Sequence, residues 1–65
     1  MLPELGDIWM DDDGEYLLFT TKPQFVNDEE ICATVLVLNT GKRSFRYFGI
    51  DNKTVSMYEW WVKIA

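Results

Sequence analysis

The chain contains no histidine, a single cysteine and only two prolines among its 65 residues. One thiol cannot form an internal disulfide, and without histidine the chain lacks the four nitrogen or sulfur ligands of a structural zinc site. The same absence removes the usual general base for a serine or cysteine nucleophile, and no Gly-x-Ser-x-Gly segment is present. We therefore expect a protein that is not an enzyme and has no catalytic residue, metal site or cofactor.

Long apolar runs and a basic N-terminal region are also missing. No stretch approaches the roughly 20 apolar residues needed to span a bilayer, and residues 1–5 lack the basic region and apolar run of a signal peptide. Together with the free thiol of Cys32, these absences predict a cytoplasmic protein without a membrane partner. At 65 residues the chain forms a single domain, 1–65, near the lower size limit for unaided folding.

Short β-branched and aromatic segments separated by turn residues predict an all-β fold. Gly14 supplies a positive φ to an acidic turn at 11–14, and a hairpin turn at 39–42 joins the most apolar strand to the strand that follows it. Residues 22–30 are interpreted as a loop, and Val55-Ser56 leaves room for one short helical turn before the last strand. The predicted strands are residues 7–10, 15–21, 31–38, 43–50 and 57–65, which form a small five-stranded antiparallel barrel.

The hairpin made by residues 31–38 and 43–50 assigns side chains to two faces. A two- or four-residue turn places Leu36 opposite Phe45 and Thr34 opposite Tyr47, and we assign this face, with Leu38, to the core. A three-residue turn would invert one strand, because a slip of one residue exchanges the faces, so the register at 39–42 stays open. The reverse face then carries Ala33, Val35, Val37, Ser44, Arg46 and Phe48.

Trp60 and Trp61 stand side by side in the predicted last strand, where successive side chains point to opposite faces. A chain this small has one interior, so one indole should lie outside it. Glu59 and Lys63 mark the solvent face, which places Trp60 in the core and Trp61 outside. Trp and Arg are enriched at interface hot spots, and contiguous apolar patches usually mark contact surfaces. The predicted partner-binding residues are Trp61, Phe48, Arg46, Val35 and Val37.

The net charge of −5 is unevenly distributed. Residues 1–30 carry nine acidic side chains against one lysine, whereas residues 31–65 carry two acidic side chains against five basic ones. Acidic runs ordinarily form solvated turns, but they also steer association with basic surfaces. Consecutive carboxylates lack the alternating spacing of a calcium loop, so no metal is expected. The predicted steering residues are Asp11, Asp12, Asp13, Asp28, Glu29 and Glu30.

Gly6-Asp7-Ile8-Trp9 resembles the opening strand of PemK/MazF-type toxins. Val35-Leu36-Val37-Leu38 is similar to the apolar strand that follows in that family. The resemblance implies an SH3-like barrel. The chain is much shorter than these ribonucleases and has Ala33-Thr34 where they place Arg-Pro, so no catalytic residue carries over.

The sequence thus predicts a protein-binding module that inhibits or regulates another protein through an aromatic patch and acidic loops. A free-standing domain of this size without a catalytic set is typical of phage and other mobile elements. Three alternatives stay open: an acidic mimic of nucleic acid, a homodimer, and a single-strand nucleic-acid-binding barrel that uses Arg43, Arg46 and Tyr47. The acidic net charge argues against binding to nucleic acid.

Overall fold

A computed structural model describes all 65 residues, Met1–Ala65. About 51% of the residues are in strands, and the chain contains no helix. It therefore has no helix long and apolar enough to cross a bilayer. The strands are β1 (Ile8–Met10), β2 (Tyr16–Phe19), β3 (Gln24–Asn27), β4 (Glu30–Val37), β5 (Lys42–Asp51), β6 (Ser56–Met57) and β7 (Val62–Lys63). They form one antiparallel sheet in the order β6-β5-β4-β2-β1-β7, and β3 also pairs with β4.

The predicted all-β class is confirmed, and the sheet curls into a half-barrel. It has seven strands where the sequence predicted five. Part of the predicted loop at 22–30 is β3, which forms a hairpin with β4 because the Asn27 side chain accepts a hydrogen bond from the Glu29 N–H at 2.8 Å. The predicted last strand is divided into β6 and β7 by a turn in which the Trp61 N–H donates to the Tyr58 carbonyl at 3.0 Å. A half-barrel keeps the free sheet edges that a closed barrel would have removed.

The predicted conformation of the turn after β1 is confirmed, and the one predicted for the turn after β5 is wrong. Gly14 has a φ of 82°, and Asp11 Oδ1 accepts hydrogen bonds from the Asp13 N–H at 3.0 Å and the Glu15 N–H at 2.8 Å. The helical turn predicted at Val55-Ser56 does not form. Val55 has a φ of 51° and closes the β5–β6 hairpin in the left-handed region, because that loop contains no glycine to take the position.

The core lies on the inner face of the curled sheet. In β4 every second side chain is buried, and β2 extends this surface by placing Leu17 opposite Val37 and Phe19 opposite Val35. The rings of Phe19 and Phe48 lie 5.4 Å apart across the interior. Ten side chains form this core: Trp9, Leu17, Phe19, Ile31, Ala33, Val35, Val37, Phe48, Ile50 and Met57.

The predicted assignment of faces is therefore wrong. Val35, Val37 and Phe48, predicted to face a partner, are at most 3% exposed, whereas Phe45 and Tyr47, predicted as core, are each 60% exposed. The grouping of side chains was correct and the direction was not. The face that carries Val35 and Val37 points inward because other parts of the chain cover it: the Phe19 ring meets the Phe48 ring there, and Trp61 packs against the core.

The hairpin register also differs from the prediction, without changing the grouping of side chains. The β4–β5 turn contains four residues, 38–41, and Thr34 rather than the predicted Leu36 lies opposite Phe45. This is a shift of two residues, and a shift of two leaves every side chain on its original face. Gly41, the last residue of the turn, has a φ of 73°, which glycine adopts without the clash that a Cβ would cause.

One of the two adjacent tryptophans does lie outside the core, but it is Trp60 and not the predicted Trp61. Trp60 is 51% exposed, whereas Trp61 is half-buried and packs against the core, with its ring 5.4 Å from that of Phe48 in an edge-on arrangement. Both indoles lie in the turn, residues 58–61, that divides β6 from β7. Strand alternation does not apply there, so Glu59 and Lys63 did not mark a common solvent face.

Candidate functional site

The outer face of the sheet is the candidate functional surface. Antiparallel sheets commonly bury one apolar face and present a polar face to water. Here many of the positions that alternate with the buried ones are apolar as well, and they continue from β5 through β4 and β2 to β1, although Glu30, Thr34 and Arg43 share this face. The apolar side chains that make up most of the outer face are half-buried or exposed: Ile8, Met10, Tyr16, Leu18, Leu36, Leu38, Phe45 and Tyr47.

Four aromatic rings are concentrated at the β5 side of this face. The rings of Phe45 and Tyr47 meet edge to face at 5.4 Å. Gly49 is the next outward position, and a Cβ there would lie 3.6 Å from Cε2 of Tyr58, so the Tyr58 ring covers it. Tyr58 stacks on Trp60 with ring centroids 4.6 Å apart. We call Phe45, Tyr47, Tyr58 and Trp60 the aromatic row.

The two arginines of β5 occupy opposite faces. Arg43 is exposed and shares the outer face with Phe45 and Tyr47, because it lies two residues before Phe45. Arg46 points to the inner side, where its Nη1 lies 3.2 Å from Glu15 Oε1 and its Nε donates to Ser44 Oγ at 3.2 Å. This ion pair joins β5 to the residue that precedes β2 across the inner side of the sheet, and both side chains are about one-third exposed. Arg43, and not the predicted Arg46, is therefore the cation beside the aromatic row.

β5 also provides the longest free edge of the sheet. β6 pairs only with Ile50 and Asp51, so residues 42–48 have no neighbouring strand on that side. The Ile50 N–H donates to the Glu29 carbonyl at 2.8 Å, which identifies the even-numbered residues of β5 as those bonded to β4. The backbone N–H and C=O groups of Arg43, Phe45 and Tyr47 consequently point to the free edge.

The two acidic loops lie at opposite ends of β4. The turn at 11–14 adjoins the β4–β5 turn, because Asn39 Oδ1 accepts from the Tyr16 N–H at 2.8 Å and Asn39 Nδ2 donates to the Gly14 carbonyl at 3.4 Å. The β3–β4 turn is at the other end, roughly 25 Å away for a strand of this length. The loops therefore do not make one continuous acidic face.

The six predicted steering residues differ in how far their carboxylates are exposed to solvent. Asp11 is buried, and its Oδ1 is bound by backbone donors of its own turn. Carboxylate oxygens of Asp11, Asp12 and Asp13 come within 4.8 Å of one another, as expected of consecutive acids in a tight turn. Glu30 is half-buried at the start of β4. The exposed members are Asp12, Asp13, Asp28 and Glu29.

Asp7 is the ionisable group most closely tied to the core. Burial alone would raise its pKa, but this effect is outweighed by hydrogen bonds from the Glu4 N–H and the Trp9 Nε1–H and by the Lys63 ammonium, which together hold the pKa below 3.8, the usual value. Its Oδ2 accepts both hydrogen bonds, at 2.9 and 3.2 Å, and Oδ1 lies 3.7 Å from Lys63 Nζ. These contacts hold β1, β7 and the N-terminal segment together, which is a structural role.

Two open grooves flank Phe25 on the opposite side of the molecule. One, with a volume of about 450 Å³, lies between β3 and the β5–β6 loop and includes Val26 and Val55. The other, of about 470 Å³, lies between Phe25 and the N-terminal segment and includes Leu2 and Leu5. Phe25 itself is exposed but lies next to no second exposed ring, so it serves below as a matched control for the aromatic row.

Of the five predicted partner-binding residues, three are in the core and Trp61 packs against it. The predicted partner-binding set did not include Phe45, Tyr47, Tyr58 and Trp60, and of these only Tyr47 was named from the sequence, for the nucleic-acid alternative. One signal for them was present: Arg43, Phe45 and Tyr47 alternate along one strand, and a basic residue interleaved with aromatics in this way is typical of exposed binding surfaces.

Comparisons of the chain with protein-family models, with curated proteins and with solved structures found no match.

Proposed function

We propose that this chain is a non-enzymatic protein-binding module that uses the aromatic row to contact another protein and thereby inhibits or regulates it. The observation that supports this proposal is the 60% exposure of both Phe45 and Tyr47 on a sheet face where polar residues are usual. A small inhibitor or regulator of this kind is typical of phage and other mobile elements.

The chemistry of the aromatic row specifies what a partner must offer. Each ring brings a large apolar area at a low cost in side-chain entropy, and an exposed ring pays no further cost for leaving a core. A complementary surface is therefore an apolar patch or cleft, with an acidic group positioned for Arg43. The exposed carboxylates of Asp12, Asp13, Asp28 and Glu29 lie outside this contact, at the two ends of β4, where they act through the long-range field.

The proposal is tested by capture from a lysate of the source cells with four immobilised proteins: the wild type, Phe45→Ala/Tyr47→Ala, Trp60→Ala and Phe25→Ala. Phe25 is 62% exposed, close to the value for Phe45 and Tyr47, and lies on the other side of the sheet. We expect a protein retained by the wild type and by Phe25→Ala to be lost by Phe45→Ala/Tyr47→Ala and weakened by Trp60→Ala. Equal retention by all four proteins would contradict the proposal.

Single-strand nucleic-acid binding is the second candidate, because the structure places the rings of Phe45 and Tyr47 beside Arg43 on an exposed sheet surface. Stacking of bases on such rings is worth about 1–3 kcal/mol per base. The candidate predicts that fluorescence anisotropy of a labelled mixed-sequence oligonucleotide rises at low salt and that Tyr47→Ala abolishes the rise. No change at any protein concentration up to the solubility limit would eliminate it.

Salt dependence separates the protein-binding proposal from the acidic mimic. A complex anchored by the aromatic row buries apolar area. Its dissociation constant should therefore change by no more than about a few-fold between roughly 50 and 300 mM salt. A mimic that places carboxylates in a basic groove should weaken steeply over the same range. The measurement uses whichever protein the capture experiment identifies.

A further inference from the structure

We propose that the free edge of β5 pairs with the same edge of a second copy of this chain. The two copies of β5 would run antiparallel about a two-fold axis at Phe45 and join the two half-barrels into one continuous sheet. This inference concerns self-association and stands independently of the proposed function.

The extent of the free edge determines where the axis lies. Residues 42–48 are unpaired on this side, with the four-residue β4–β5 turn at one end and the Tyr58 ring over Gly49 at the other. A segment that pairs fully with its own copy has its axis at its centre, and the centre of 42–48 is Phe45. In this register Arg43 lies opposite Tyr47 of the second copy.

The charges of β5 select the same register. The segment carries Lys42, Arg43 and Arg46 and no acidic residue. A slip of two residues in one direction places Arg46 opposite Arg46 of the second copy, and a slip in the other direction places Lys42 opposite Arg46. Like charges directly opposite one another destabilise a strand pair. With the axis at Phe45 no two cations are opposite, since Lys42 faces Phe48 and Arg46 faces Ser44 of the second copy.

The backbone groups at the edge match this arrangement. Arg43, Phe45 and Tyr47 direct their N–H and C=O groups outward from β5, and in the proposed register each faces one of the same three residues in the second copy. Pairs of this kind exchange two hydrogen bonds each, so the junction contains about six. On the outer face the two Phe45 rings become neighbours, and each Arg43 lies within reach of a Tyr47 ring for a cation–π contact.

The size of the protomer favours such pairing. Only 13 of its 65 residues are buried, and domains with so small a core commonly rely on oligomerisation. Arg46, the cation nearest the axis on the inner side, is already paired with Glu15 of its own chain. The contact is smaller than a standard interface, so we expect a dissociation constant on the order of 1–100 µM.

Sedimentation equilibrium of the full chain from 2 to 500 µM (a range set by that expected constant) tests the dimer itself. We expect a reversible monomer–dimer equilibrium in the wild type. Tyr47→Pro removes an N–H that points to the free edge and no hydrogen bond to β4, and it should raise the dissociation constant by about 10-fold or more. Phe25→Pro is the matched control. It introduces a proline into β3, a short edge strand that directly follows Pro23, and it should leave the monomer–dimer equilibrium unchanged. Circular dichroism and a thermal melt establish that each variant is folded.

Cross-linking tests the register. In a Cys32→Ser background, Phe45→Cys places two thiols across the axis, and facing residues of paired strands lie within the Cα separation that a disulfide accepts. Mild oxidation should convert Phe45→Cys to a covalent dimer about 10-fold faster than Arg43→Cys, whose partner position is Tyr47 (a rate ratio that reflects thiol proximity). A mixture of Arg43→Cys and Tyr47→Cys should form the heterodimer.

Each result decides for or against the proposal. A monomer at every concentration overturns it, as does a dimer that Tyr47→Pro leaves intact. A dimer in which Phe45→Cys and Arg43→Cys oxidise at equal rates overturns the register and with it the axis at Phe45. The proposal requires concentration-dependent dimers, their loss in Tyr47→Pro and preferential cross-linking at Phe45.

Discussion

The inner and outer faces of the β4–β5 pair both carry large apolar side chains, yet one forms the core and the other is open to solvent. Phe48 is 3% exposed and Phe45, three residues earlier on the same strand, is 60% exposed. The difference arises from neighbours rather than from hydropathy. β2 extends both faces, but only the inner face is closed, by Trp61, whereas nothing in the chain covers the aromatic row.

A strand pair with two apolar faces has a competing inside-out arrangement. In that arrangement Phe45, Tyr47 and Leu36 would be buried, and Val35, Val37 and Phe48 would face solvent. The inner face of the actual fold even includes a charged residue, Arg46, which is tolerated because the half-barrel is open at that point and Glu15 reaches it. Comparison of the two faces therefore separates what holds the fold from what is free to bind.

The largest expected effect contrasts the same substitution on the two faces of β5. Phe48→Ala should lower the free energy of unfolding by about 3–5 kcal/mol, because it empties space beside Phe19 and Trp61. Phe45→Ala removes an exposed ring and should change the free energy by less than about 1 kcal/mol. Urea denaturation of both variants measures the difference. Equal losses would mean that the outer face is covered in solution.

The adjacent tryptophans extend the contrast to the C-terminal turn. Trp61→Ala should cost about 2–3 kcal/mol, below the range for a fully buried ring, because Trp61 is half-buried against Phe48. Trp60→Ala loses only its stacking on Tyr58, worth about 1 kcal/mol. Thermal unfolding of the two variants in parallel provides the comparison, and a larger loss in Trp60→Ala would reverse the two roles.

A substitution of Asp7 tests how much a polar side chain packed against the core contributes to stability. Asp7→Asn should lower the free energy of unfolding by about 1–2 kcal/mol at pH 7, because the carboxylate accepts two hydrogen bonds and lies near Lys63. The pKa of Asp7 is lower in the folded chain than its usual value of 3.8. Its contribution is therefore fully present above pH 3.8 and is lost as the pH falls through the folded-state pKa.

Urea denaturation of the wild type and Asp7→Asn from pH 7 down to the acid limit of the fold checks this prediction. The gap between the two proteins should be constant at neutral pH and should close in acid. A gap that is independent of pH throughout would show that the ionised form of Asp7 has no special role.

The smallest expected effect is at the rim of the half-barrel, where the two faces meet. Glu15→Gln breaks the ion pair with Arg46, but both side chains are about one-third exposed, so the free energy of unfolding should change by less than about 1 kcal/mol. Glu59→Gln, an exposed change in the C-terminal turn, is the control. A loss in Glu15→Gln well above that of the control would indicate that the rim is closed in solution.

The sequence was sufficient to predict the all-β class, the glycine turn after β1 and the grouping of side chains in the β4–β5 hairpin, since each depends on local propensity or on period-two alternation. It did not determine which group points inward. That choice depends on which face the rest of the chain covers, and the contacts that cover the inner face, Phe19 on Phe48 and Trp61 on the core, form only in three dimensions. The aromatic row was missed for the same reason, because Tyr58 and Trp60 reach β5 through a turn that interrupts the predicted last strand.

The hydrogen bond from Trp9 to Asp7 also has an optical consequence. The three indoles occupy different surroundings: Trp9 is buried against a carboxylate, Trp61 touches the core and Trp60 stacks on tyrosine in contact with water. A Trp60→Phe/Trp61→Phe variant would leave Trp9 as the only tryptophan in the chain, which can be excited selectively over the tyrosines. Its fluorescence would then respond to protonation of Asp7 from inside the protein, without any added label.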